Sequence, residues 1–100
     1  MTTYNYYIGL QDKDTRQVLY TKDAAMLMLV TMLKEKHRGL TLTDVKGGYS
    51  YDNGSQAYEP TIKVTLFDDA LSHAELDDIK NMFNQESIAI EEVESKILFI

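Results

Sequence analysis

The sequence has no cysteine and no tryptophan. Without cysteine there is no disulfide framework, no thiol nucleophile and no thiolate metal site. One proline and five glycines in 100 residues exclude a collagenous or low-complexity tract. Histidine is scarce too, present only as His37 and His73. Neither sits in a His/Asp/Glu set at ligand spacing, although Asp68, Asp69 and Glu75 lie near His73 in sequence. No metal and no cofactor are therefore expected. Long apolar runs are also missing. Ala24-Ala25-Met26-Leu27-Met28-Leu29-Val30 is the longest, at seven residues, against the roughly twenty that span a membrane. The N-terminal residues Met1-Thr2-Thr3-Tyr4 lack a signal peptide's basic and apolar regions, so the expected location is cytoplasmic, away from membrane.

Positive charge is short. Ten Lys and Arg stand against sixteen Asp and Glu, a net charge of −6. The first fifty residues hold seven basic and five acidic groups, and the last fifty hold three and eleven. Such a surface repels a phosphate backbone, which argues against nucleic-acid binding by a basic face. The acid either keeps a small domain soluble or meets a basic partner. The residues that would form such an acidic surface are Asp68, Asp69, Asp77, Asp78, Glu91, Glu92 and Glu94.

What is present fits an ordinary globular chain: 44% hydrophobic and 26% charged residues. A chain of this length builds one core, so residues 1–100 form a single domain. Tyr4, Tyr6, Ile8 and Leu10 alternate with Asn5, Tyr7 and Gly9, the period of a strand. Polar residues 11–16 turn the chain, and Val18-Leu19-Tyr20 extend the strand or form a short hairpin arm. Thr21 is a suitable N-cap with Asp23 in the first turn, and the apolar residues that follow predict a helix over 22–38. Ala24, Leu27, Met28 and Val30 to Leu33 supply its apolar face. Lys34, Lys36, His37 and Arg38 fall in its last turn, and Gly39 is placed to close it in a left-handed conformation.

A second strand runs from Leu40 through Val45 and Tyr51 to a turn at Asp52-Asn53-Gly54. Gly47-Gly48 suggests a bulge in it. Glu59-Pro60 begins a third strand, with Ile62, Val64 and Leu66 alternating inward. Ser72-His73-Ala74-Glu75 is a capping box, flanked by Leu71 and Leu76 as a hydrophobic staple. Leu76, Ile79, Met82 and Phe83 form a helical stripe that ends near Asn84-Gln85. Ile88-Ala89-Ile90 opens the last strand, with a bulge or turn near Glu91-Glu92 and extended structure again over Ile97 to Ile100. The order strand, helix, strand, strand, helix, strand, with two right-handed crossovers, predicts an α+β ferredoxin-like βαββαβ sandwich. Its sheet is antiparallel and both helices lie on one face.

Three short runs carry a resemblance: Asp44-Val45-Lys46-Gly47-Gly48-Tyr49, Glu59-Pro60-Thr61 and Phe83-Asn84-Gln85-Glu86-Ser87-Ile88. The chain resembles a family of small uncharacterised bacterial proteins. These have a glycine-containing second strand, a Glu-Pro-Ser/Thr strand start and a Gln-Glu-Ser-Val junction between helix and strand. The resemblance covers the chain from about Tyr7 onward. Members place a tryptophan where this chain has Tyr49 and often carry an export signal, which this sequence lacks. The family has no established activity, so the resemblance implies the fold and transfers no catalytic residue. Read on their own, Gln85-Glu86-Ser87 satisfy a helix end or a strand start, with a ligand contact as the sharper alternative.

No nucleophile elbow, phosphate loop or dinucleotide fingerprint occurs. The carboxylate pairs Asp68-Asp69 and Asp77-Asp78 read as surface acids rather than an acid–base pair. Met26, Met28 and Met32 read as gap-fillers of the core. Tyrosine is what remains to explain, with seven copies. Tyr6, Tyr7, Tyr49, Tyr51 and Tyr58 lie on or beside strands, and a sheet with both helices on one side leaves its other side open. The leading expectation is a non-enzymatic interaction module that associates through an aromatic sheet face with a second copy or another protein. One alternative is a small acidic inhibitor, of a kind a phage might encode, that mimics nucleic acid or covers a basic site. Another is a small-molecule-binding or enzymatic domain using the cleft between sheet and helices, with tyrosine and His73 as acid–base groups.

Overall fold

A computed structural model describes residues 1–50, 54 and 56–100, with the side chains at 49, 50, 56 and 57 left aside. Six elements follow one another: β1 (Thr2–Gly9), α1 (Lys22–Leu33), β2 (Thr41–Ser50), β3 (Gln56–Phe67), α2 (His73–Phe83) and β4 (Ala89–Glu94). The strands form one sheet in the order β2-β3-β1-β4. Every neighbouring pair is antiparallel. This is the ferredoxin-like α+β sandwich.

The period-two pattern of β1 and β3 decides which face is covered. Tyr6 and Ile8 on β1, Leu10 just after it, and Ile62, Val64 and Leu66 on β3 are buried. They pack with Ala25, Leu29 and Leu33 of α1 and Ile79 and Phe83 of α2. Both helices therefore sit on one side. Burying each of the larger apolar side chains contributes roughly 1.5–3 kcal/mol, which is where the fold gets its stability.

The helix starts match their capping chemistry. Thr21 Oγ1 accepts from Ala24 N at 3.2 Å. At α2, Ser72 Oγ accepts from Glu75 N at 3.1 Å and Glu75 Oε1 accepts from Ser72 N at 2.9 Å, a complete capping box. Asn84 closes α2 in the left-handed region, with φ 47°.

Several boundaries differ from the sequence-based expectation. Helix α1 ends at Leu33 and not at residue 38. Leu33 O accepts from both Lys36 N and His37 N, and this tight turn leads the chain off the helix axis and carries His37 inward. Gly39 does not adopt a positive φ, because the helix has already closed. The buried stripe of α1 is Ala25, Leu29 and Leu33, while Leu27 is 67% exposed. A segment apolar on all sides cannot reveal from sequence which side faces the core.

The Gly47-Gly48 pair makes no bulge, for Gly47↔Glu59 and Gly48↔Tyr58 stay in register. Nor does β4 break at Glu91-Glu92; it pairs continuously from Thr2↔Glu94 to Tyr7↔Ala89. Ile97 to Ile100 form no strand. Val18 contributes one isolated bridge to Gln11, a minimal hairpin arm. The expected turn at Asp52-Asn53-Gly54 lies, apart from Gly54, outside the described residues.

Candidate functional site

The uncovered side of the sheet carries a cavity of ≈ 650 Å³ at the end of β1. Its floor is formed by Tyr7 and Gly9 of β1, Val45 and Gly47 of β2, Glu59 and Thr61 of β3 and Ala89 of β4. All share the strand parity opposite to the buried set, so alternation alone brings them to this side. Two connections build the wall: residues 11–16 after β1, and Gln85-Glu86-Ser87 between α2 and β4.

Glycine makes room for the floor. A Cβ on Gly9 would collide with the Glu59 carboxylate and stand 2.8 Å from Gln85 Oε1. A Cβ on Gly47 would stand 2.9 Å from Thr61 Oγ1. The two glycines therefore let polar side chains lie flat against backbone, one of the uses of glycine inside a strand.

Glu59 and Gln85 are held by the backbone of Gln11. Glu59 Oε1 accepts from Gln11 N at 3.0 Å. Gln85 Nε2 donates to Gln11 O at 2.6 Å and to Phe83 O at 3.2 Å. No donor among the described residues engages Gln85 Oε1 or Glu59 Oε2. The Glu59 carboxylate and Gln85 Oε1 thus meet over Gly9, a site suited to a cation or an N–H or O–H donor. Glu86 adds a carboxylate, and Lys13, Arg16 and Lys46 bring positive charge to the same cavity.

The wall is braced by Asp12. Its Oδ1 accepts from Asp14 N at 2.8 Å and Thr15 N at 3.0 Å, and its Oδ2 from Asn84 Nδ2 at 3.0 Å. The Thr15 N–H, with Asn84 and Asp14 behind it, holds this carboxyl below its ordinary pKa. Lys13 N also donates to Asn84 O at 3.1 Å, so the end of α2 and the 11–16 connection move as one unit.

A second polar cluster lies on the helix side. His37 is 5% exposed. Its Nδ1 is 2.6 Å from Asp69 Oδ2 and its Nε2 is 2.8 Å from Glu75 Oε2. This cluster does not line the cavity above Gly9.

The tyrosines divide among several environments. Tyr6, expected at an interface, is a core residue at 2% exposure, and its hydroxyl accepts from Leu71 N at 2.9 Å. The even parity that it shares with Ile8 turns it to the helices. Burial outweighs this hydrogen bond and raises its pKa. Tyr7 is on the open side, where its hydroxyl donates to Glu91 Oε1 at 3.1 Å. Burial and that carboxylate push its pKa up. Tyr58 is 67% exposed and has the strand parity of the covered side. The Tyr49 side chain and Tyr51 lie outside the described residues. On the open side the described positions around Tyr7 are mainly polar: Thr3, Asn5, Thr61, Lys63, Thr65 and Glu91.

The expected acidic residues lie in the connection after β3, on α2 and on β4. Asp69 pairs with His37, Asp77 lies 3.4 Å from Lys80 Nζ, and Glu91 accepts from Asn5 Nδ2 at 2.9 Å. Glu94 accepts from Thr2 Oγ1 at 2.6 Å. Asp68, Asp78 and Glu92 are exposed. His73, proposed as an acid–base group, is exposed at the start of α2 and is not among the cavity's lining residues. Among the described residues no cluster of three or more His, Asp and Glu could hold a metal ion, and no helix is long and apolar enough to cross a membrane.

No family model matches the chain, and no curated protein does. Two solved structures share its fold. One is a phage SAM lyase in its apo state, with a TM-score of 0.63 and 17% identity over 92% of this chain and 78% of the other. The second is a phage SAM lyase in complex with S-methyl-5'-thioadenosine, with a TM-score of 0.62 and 18% identity over 93% and 80%. At this identity the likeness establishes architecture and nothing more.

Proposed function

We propose that the chain binds a small polar ligand in the cavity above Gly9, and that this ligand is a sulfonium nucleoside of the S-adenosylmethionine type or the thioether nucleoside left on its cleavage. The observation that carries the reading is the Glu59 carboxylate and Gln85 Oε1 meeting over Gly9 on a concave surface cleared by glycine. A sulfonium centre and an α-ammonium group are the cations such acceptors favour. Lys13 and Lys46 supply the opposite charge for a carboxylate. The volume suits a ligand of this size, since small-molecule sites run from roughly 300 to 1,000 Å³. The phage lyase of like fold, captured with S-methyl-5'-thioadenosine, supplies the ligand class.

Thermal unfolding with S-adenosylmethionine and, separately, with S-methyl-5'-thioadenosine tests the reading. Binding to the folded state alone stabilises by about 2.7 kcal/mol at a hundredfold excess over Kd. A rise in Tm with either compound supports the proposal, and chromatography of the incubated S-adenosylmethionine then shows whether it is cleaved. No shift with either compound at millimolar concentration overturns it.

A second reading rests on a different observation. Val93, Leu98, Phe99 and Ile100 are exposed along β4 and the tail, and Phe99 meets Phe67 edge-on at 6.4 Å. We propose that self-association, where it occurs, uses this rim of the open side. Light scattering at low and high salt is the check: a dimer at both supports it, and a monomer at both removes it.

A further inference from the structure

We propose that His37 is held as an imidazolium between Asp69 and Glu75 and works as a proton-operated clamp between the end of α1 and the start of α2. A neutral imidazole carries one N–H and one bare lone pair. Here both ring nitrogens face carboxylate oxygens, at 2.6 and 2.8 Å. A neutral ring would aim its lone pair at one of them. Both contacts are satisfied at once only when both nitrogens are protonated.

The clamp joins segments distant in sequence. His37 follows the turn after α1, Asp69 lies in the connection after β3, and Glu75 is in the first turn of α2. Glu75 has a double duty, since its other oxygen accepts from Ser72 N and closes the capping box. Loss of the proton would therefore set a lone pair against one of the two carboxylates, Asp69 or the Glu75 that also caps the helix. The groups that bear on the site are few. Asp69 and Glu75 act on the ring directly. From β1, the Tyr6 hydroxyl lies in the field of both carboxylates. On its own segment, Lys34, Lys36 and Arg38 are exposed.

The electrostatics agree with the geometry. Burial alone would lower the His37 pKa, but the hydrogen bonds to Asp69 and Glu75 outweigh it and the net shift is upward from 6.5. Burial would raise that of Glu75, but the Ser72 N–H and His37 bring it below 4.5. The signs differ. The His37 contribution to stability is complete below about 6.5 and is lost as pH rises through its folded value. That of Glu75 is complete above about 4.5 and is lost as pH falls through its folded value. Both contributions are complete between those limits; the clamp opens as pH rises through the folded value of His37 or falls through that of Glu75.

Ring 15N NMR of the whole chain, with a pH titration, reads the protonation directly. Both His37 nitrogens protonated at pH 6, with a midpoint above 6.5, support the clamp. A neutral tautomer at pH 6, or a midpoint at or below 6.5, overturns it. The D69N variant gives a second readout, because an asparagine lets a neutral ring satisfy both contacts. Between pH 6 and 8.5 the wild-type Tm should fall more than that of D69N. Parallel profiles would overturn the proposal, and the wild-type titration decides the matter should D69N not fold. Neither readout depends on any ligand.

Discussion

The two ends of α2 use the same polar chemistry in opposite ways. At its start, Glu75 commits one oxygen to Ser72 N and the other to His37 Nε2, and His37 commits its second nitrogen to Asp69. Every acceptor of Glu75 is engaged and the histidine is buried. Beyond its end, Gln85 and the neighbouring Glu59 each give one polar atom to the backbone of Gln11 and keep another that no donor among the described residues engages. A satisfied buried network stabilises and specifies a fold; groups half satisfied beside a cavity are poised for something else to complete them. Carboxylates and amides as residue types do not separate the two roles, but their unmet hydrogen-bonding capacity does.

The largest effect expected from breaking this contrast lies at the start of the helix. Glu75→Ala removes half of the capping box and leaves His37 with one partner. Losing a cap and stranding a buried polar group together cost about 2–4 kcal/mol. Tm should fall by roughly 10 °C or more. A loss below about 1 kcal/mol would mean that water replaces the network freely and that the two ends do not differ as described.

Gly9→Ala probes the other end with the opposite profile. The added methyl meets the far ends of two flexible side chains, Glu59 and Gln85, which can swing away. Stability should change by no more than about 1 kcal/mol. Ligand binding should weaken tenfold or more, about 1.4 kcal/mol, because both acceptors lose their placement. Calorimetric titration alongside a melting curve measures both. Unchanged affinity would show that the acceptors over Gly9 are not where the ligand sits.

Much of this contrast is hidden in the sequence, for identifiable reasons. The alternation in Tyr4 to Leu10 and Ile62 to Leu66, together with the Ser72 capping box, makes the fold legible, because those signals are local. The site depends on non-local placement. Glu59 reads as the residue before a strand proline, and Gln85 as a helix end, until the sheet order brings both to Gly9. Gly47 reads as a bulge because sequence shows only that a side chain is missing, not what occupies the space. Residues of three runs far apart in sequence, 44–49, 59–61 and 83–88, meet at the cavity, and the ligand-contact reading of Gln85-Glu86-Ser87 points there. His37 appears as one of several cations at a helix end; its burial follows from α1 stopping five residues earlier than its composition suggests. The tyrosines mislead for a related reason, since Tyr6 and Tyr7 are adjacent and strand parity sends one into the core and one to the open side.

The smallest effect, and the sharpest, belongs to Glu59→Gln. The glutamine keeps an oxygen for Gln11 N, so the wall stays in place and stability should remain within about 0.5 kcal/mol. Only the charge is lost. A carboxylate a few ångströms from a cation contributes about 1–4 kcal/mol at the effective dielectric of a partly exposed site. Binding of S-adenosylmethionine should therefore fall at least about fivefold. The uncharged thioether S-methyl-5'-thioadenosine has no sulfonium for that carboxylate to meet, so its affinity should hardly move. Equal losses for both compounds would assign Glu59 to shape or hydrogen bonding, and no loss for either would place the cation away from Gly9. A selective loss for the sulfonium compound would tie the unengaged oxygen of Glu59 to the positive charge.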